Sequence, residues 1–147
     1  MNTIDISYKD ILEIDDEERI ISFCLEVLDK LKITNWEISI MLCNDAVIKD
    51  LNNRYRSKNE PTDVLSFTQD LEPVGDIIYA GDIIISLETI EHHSKIFDAS
   101  IDEEFKRVLI HGILHLSGME HKTNSRKEEM LQIQEKILKS ISGEKVI

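Results

Sequence analysis

The chain has 147 residues, 41 % of them apolar and 31 % charged, which suits one soluble globular domain with a sizeable core, expected to span residues 1–147. Its net charge of −12 argues against broad, non-specific nucleic-acid binding, and no DNA partner is expected. No uncharged run approaches the ~20 residues of a membrane span, and the amino terminus MNTIDISYKD lacks a signal-peptide hydrophobic stretch, so a cytoplasmic location with no membrane partner is expected.

Residues 3–8 (TIDISY) alternate and predict a short strand. Asp15 or Asp16 can cap a helix over about 17–32, with Ile20, Cys24, Val27, Leu28 and Leu31 on one face. Residues 36–42 predict a second strand. Asn44 can cap a helix over about 45–55, with Val47, Ile48, Leu51 and Tyr55 as its apolar side. Pro61 ends any helix there. DVLSF (63–67) reads as a strand, 69–80 as a loop, and DIIIS (82–86) as a central strand because it is continuously apolar. A short helix over about 87–97 follows. Ser100 with Glu103, and Ser125 with Glu128, are capping boxes that open two further helices, the second over about 126–141. Four strands among helices predict an α+β fold, a mixed four-stranded sheet with helices packed on it. Cys24 and Cys43 have no CxxC partner and read as buried thiols. Trp36 and Phe67 read as core anchors, and the adjacent His92 and His93 as surface or packing residues.

The most informative string is HGILHLSGMEH, which holds three of the five histidines at i, i+4 and i+10. His111 and His115 lie one helical turn apart, so both imidazoles leave one face of a helix. Gly118 stands where a left-handed turn would end that helix and swing His121 back. Three convergent imidazoles make an open tetrahedral site, a zincin-like pattern that leaves a fourth position for water. One Zn²⁺ per chain is expected, although imidazole also suits Ni²⁺. Such a site lowers the pKa of water to about 7 and favours hydrolysis. The helix carrying it is uncharged over 108–116, so it should be buried centrally. Gly112 inside it costs about 1 kcal/mol against alanine, which a close backbone neighbour or a substrate would explain.

The bond attacked is less legible. The same histidine spacing occurs in metallopeptidases, which place glutamate directly after the first histidine, where Gly112 stands here. Glu120 could act as the base, or could be a carboxylate that merely supports His121 or faces solvent. The sequence is acidic, with nine acids and two bases in residues 1–29. Residues 49–58 reverse this, setting Lys49, Arg54, Arg56 and Lys58 against Asp50 alone. Arg56 would suit a phosphodiester because its planar fork binds two phosphate oxygens, and Arg54 and Lys58 would extend the contact. The alternative is a plain cation at a helix C-terminus.

HGILHLSGMEH, with LNNRYRSKNEPTDVLSF and GDIIIS in the same order, resembles the YbeY family of metal-dependent endoribonucleases from about Trp36 to Leu138. The resemblance implies zinc on His111, His115 and His121, and a functional role for Arg56. It implies single-stranded RNA, specifically ribosomal RNA, as substrate, with action at the 3′ end of the small-subunit RNA and in ribosome quality control. It implies the small ribosomal subunit as partner. The family usually carries Tyr-Asp where Met119 and Glu120 stand, and proline where Thr68 stands; neither departure touches a ligand. A metallopeptidase and a non-catalytic, metal-stabilised ribosome-binding module are the alternatives.

Overall fold

The computed structural model describes residues 1–69, 72–118, 124–141 and 143–147, with backbone alone for 124–127. It is an α+β domain with one mixed sheet, as the sequence predicts. Among the described residues the elements run in the order β1 (Thr3–Tyr8), α1 (Glu17–Lys30), β2 (Trp36–Cys43), α2 (Asp45–Arg56), β3 (Val64–Thr68), β4 (Ile78–Ser86), α3 (Leu87–Ile96), α4 (Ile101–Leu116) and α5 (Asn124–Ser140).

The sheet order is β1-β2-β4-β3. β1, β2 and β4 are parallel, and β3 runs antiparallel to β4. The continuous apolar run of β4 is therefore central, as its composition requires. Alternation along the strands divides two cores. Ile38, Ile40, Ile83 and Ile85 face α1 and α4 in the main core, with Met130 and Ile137 of α5. Leu65, Ile84 and Cys43 face Ile48 of α2 on the opposite side. The site-bearing helix and the arginine-bearing helix thus lie on opposite faces of one sheet.

Several boundaries differ from expectation, each for a local reason. β4 begins at Ile78 rather than 82, so the end of the expected 69–80 loop is strand. Gly81 looks like a breaker in sequence but sits inside the strand at φ +146°, where a side chain would overlap the Phe67 carbonyl oxygen. Asp16 flanks α1 without capping it through its side chain; its carboxylate pairs with Arg19 at 2.9 Å instead. Ser100 does cap α4, accepting from the Glu103 amide at 3.0 Å, while the Glu103 carboxylate turns to Arg107. Ser125 lies within α5, which starts at Asn124, so it is not the residue before the helix. Tyr55 is 67 % exposed, so the core-facing side of α2 is made by Ile48 with Val47 and Leu51 as expected, joined by the buried Asn52.

Candidate metal centre and nucleic-acid contact

α4 is buried along most of its length, because Val108, Leu109, Ile110, Ile113 and Leu114 occupy several of its faces. Gly112 lets it approach the sheet: a Cβ there would stand 3.0 Å from both Cδ1 and Cγ2 of Ile83. The neighbour is the Ile83 side chain of β4, not the close backbone or the substrate anticipated for this glycine. At the other end Ser117 closes the helix and Gly118 takes φ +100°, with its amide donating to the His115 carbonyl at 3.0 Å. That is the left-handed turn the glycine was expected to make.

His111 and His115 project from this helix onto one point. Their Nε2 atoms are 3.2 Å apart and their rings meet edge to face with centroids 4.7 Å apart. Two imidazole nitrogens on a tetrahedral zinc, each about 2.0–2.1 Å from the ion, would be about 3.3 Å apart. The pair therefore has the spacing that such an ion requires, and neutral imidazole is the donor zinc favours. Among the described residues no group of three histidine, cysteine or carboxylate side chains is gathered for a metal. His121 and Glu120 lie outside the described residues.

One supporting residue has no clear signal in the sequence. Gln134 of α5 is buried, and its Oε1 lies 3.0 Å from Nδ1 of His111. Its Nε2 faces the Glu135 carboxylate at 3.4 Å. Arg107 of α4 clamps Glu135, with Nε 3.1 Å from each carboxylate oxygen, and also bonds Glu103 and Glu104. Burial raises the Glu135 pKa, but hydrogen bonds from Arg107 and Gln134 outweigh it and hold the carboxyl below its ordinary value. The only sequence cue was a polar residue beside Ile133 and among Met130, Ile137 and Ile141.

Arg56 is the last residue of α2, followed by Ser57 in a left-handed conformation. Its Nη2 donates to the Ser66 carbonyl at 3.3 Å and its guanidinium lies 6.0 Å from the Phe67 ring centroid. Tyr55 packs edge-on against the same ring at 5.3 Å. Phe67, expected as a core anchor, is therefore also the platform under Arg56. Asn52 fixes the turn beyond, donating from Nδ2 to the Glu60 carbonyl at 2.9 Å while its own carbonyl receives the Lys58 amide. Lys58 is exposed. Arg54 is exposed but pairs with Asp50 at 3.1 Å, so part of the basic strip is neutralised within the helix.

The two halves meet at Gly81. The Phe67 carbonyl and the Leu116 side chain both crowd this residue, so the histidine end of α4 and the strand carrying the Arg56 platform reach one corner. Ser66 shares the α4 side of β3, and its hydroxyl oxygen is buried without a partner among the described residues. His92 and His93 lie elsewhere on α3, with His93 3.7 Å from Asp63. No helix among the described residues is long and apolar enough to cross a membrane.

A family model described as Endoribonuclease YbeY matches residues 3–142. Endoribonuclease YbeY of Treponema pallidum (strain Nichols) is 53 % identical over 120 residues, covering 79 % of this chain and 75 % of that protein. The protein of the same name from Treponema denticola is 46 % identical over 127 residues, covering 84 % and 82 %. A solution structure of a Thermotoga maritima protein superposes with a TM-score of 0.65 at 27 % identity, covering 93 % of this chain and 87 % of that one.

Proposed function

The chain belongs to the YbeY endoribonuclease family, and from that premise we propose that it is a zinc-dependent, single-strand endoribonuclease. Its substrate would be ribosomal RNA, cut in maturing the 3′ end of the small-subunit RNA and in ribosome quality control, in the cytoplasm and alongside the small ribosomal subunit. The observation that carries the metal part is the 3.2 Å separation of the His111 and His115 Nε2 atoms.

His111, His115 and His121 would hold the ion. When bound, zinc would supply a Lewis acid for the oxygens of the phosphate whose phosphorus is attacked, and would make water acidic enough to ionise near neutral pH. Arg56 would place its two-pronged guanidinium on the phosphodiester and stabilise the charge that grows on its oxygens as the P–O bond breaks. Phe67 and the Ser66 carbonyl hold that guanidinium in place from the protein side. Lys58 and Arg54 would contact flanking phosphates, Arg54 by giving up Asp50. Glu120 is the candidate carboxylate for moving a proton beside His121.

A metallopeptidase is disfavoured by Gly112. A side chain at this position points into Ile83, so a glutamate placed here would enter the sheet contact instead of the site. The test compares single-stranded RNA and casein as substrates, with and without chelator, alongside elemental analysis. RNA should be cut, casein should not, and chelation should stop the reaction. About one zinc per chain should be found, and lost in the His111→Ala, His115→Ala double variant. Full zinc in that variant, or casein cleavage alone, would refute the assignment.

A further inference from the structure

We propose that Gln134 is a positioning residue: its side-chain carbonyl fixes the proton of His111 on Nδ1 and leaves Nε2 unprotonated toward His115. This inference rests on His111 being a metal ligand for its purpose, but not for its test.

The residue is out of keeping with its surroundings. Gln134 is 6 % exposed, on the side of α5 that also buries Met130 and Ile137. A polar amide there is costly unless both ends are bonded. Both are, by His111 at 3.0 Å and by Glu135 at 3.4 Å.

The orientation follows by elimination. Glu135 is gripped by Arg107 through Nε at 3.1 Å to each oxygen and Nη2 at 3.0 Å, so its carboxylate only accepts. The Gln134 amide nitrogen must then face Glu135, and its oxygen must face His111. An amide oxygen also only accepts, so Nδ1 of His111 must be the donor. The remaining lone pair of a neutral imidazole is then on Nε2, the atom 3.2 Å from its counterpart on His115. The Arg107 charge on α4 thus sets, through two side chains of α5, which nitrogen of a second α4 residue, His111, can accept a ligand. The histidine would meet a cation already in the required tautomer, and such partners typically carry about 10–100-fold in metal affinity.

The test reads the tautomer directly, by two-bond ¹⁵N–¹H correlations of ¹⁵N-histidine-labelled, metal-free protein at a pH where the rings are neutral. Native His111 should be protonated on Nδ1. Gln134→Met keeps length and loses the acceptor, so His111 should shift toward the Nε2–H form and zinc affinity should fall by about 10–100-fold. Gln134→Glu keeps an acceptor and should retain Nδ1–H. Native His111 protonated on Nε2 would overturn the proposal. So would an unchanged tautomer in Gln134→Met, or loss of Nδ1–H in both variants. If the native chain binds no zinc, the metal reading fails while the tautomer result still decides the role of Gln134; and should Gln134→Met not fold, the native and Gln134→Glu spectra decide it.

Discussion

Placing a methyl group at residue 112 sets two known effects against each other. Alanine in a helix interior is favoured over glycine by about 1 kcal/mol. Here the methyl would stand 3.0 Å from Cδ1, 3.0 Å from Cγ2 and 3.3 Å from Cγ1 of Ile83, a side chain with no exposure and little room to yield. Overpacking of this kind costs about 1–3 kcal/mol. Gly112→Ala should therefore destabilise the fold by about 1 kcal/mol, lowering Tm by about 2–4 °C for a chain of this size. In an Ile83→Ala background, itself destabilised by about 2–5 kcal/mol, the opposing atoms are gone. The same Gly112→Ala change should there stabilise by up to about 1 kcal/mol. Urea denaturation of the metal-free native chain, both single variants and the double variant gives the coupling energy directly. The sign reversal is the diagnostic result. If Gly112→Ala stabilises the native background, Ile83 yields easily and helix–sheet contact is not why glycine stands at 112.

Arg56→Lys should lower RNA cleavage at least about tenfold while leaving the far-ultraviolet spectrum and zinc content unchanged, because a point charge cannot replace the two-pronged contact; full activity with lysine would reduce the role of Arg56 to charge alone. The thiols carry a pH prediction. Burial pushes Cys24 up to about 12, and burial together with the Asp45 charge pushes Cys43 up to about 11, from an ordinary thiol value of 9.0. The folded state keeps these protons after the unfolded chain loses them, so their contribution is complete below about pH 9 and is lost as pH rises through about 11 to 12. The denaturation midpoint of the native protein should therefore fall toward that of Cys24→Ala as pH rises above 9, narrowing the gap between them, and a constant gap would contradict the burial account.

The legible parts of the fold were those decided by local chemistry. Asn44 and Ser100 cap their helices through bonds to the residue three positions on, and Gly118 turns as a glycine should. The illegible parts were decided by distant neighbours. Nothing near Gly81 in sequence reveals that the Phe67 carbonyl and Leu116 require it, so the first residues of β4 read as loop. Asp16 resembles a cap but finds Arg19. The pairing of His111 with His115 follows from helical periodicity, and so was open to reading. Gln134 reaches His111 across 23 residues and two helices, and no local pattern could announce it. Arg56 was visible as a residue type, whereas its seat on Ser66 and Phe67 depends on how the α2–β3 connection folds back.

The antiparallel placement of β3 has a bearing on solubility. Bonds from Ser86 to Asp63 and from Gln69 to Ala80 set odd-numbered residues of this strand toward β4, so the backbone groups of Val64, Ser66 and Thr68 face outward. An outward row of donors and acceptors invites a strand from another molecule, the usual start of aggregation. Arg56 lies across that row, occupying the Ser66 carbonyl and presenting a cation to any newcomer. The side chain proposed to hold RNA is thus also placed as a gatekeeper on the outward edge of β3, and substitutions at position 56 are expected to alter colloidal behaviour whatever they do to cleavage.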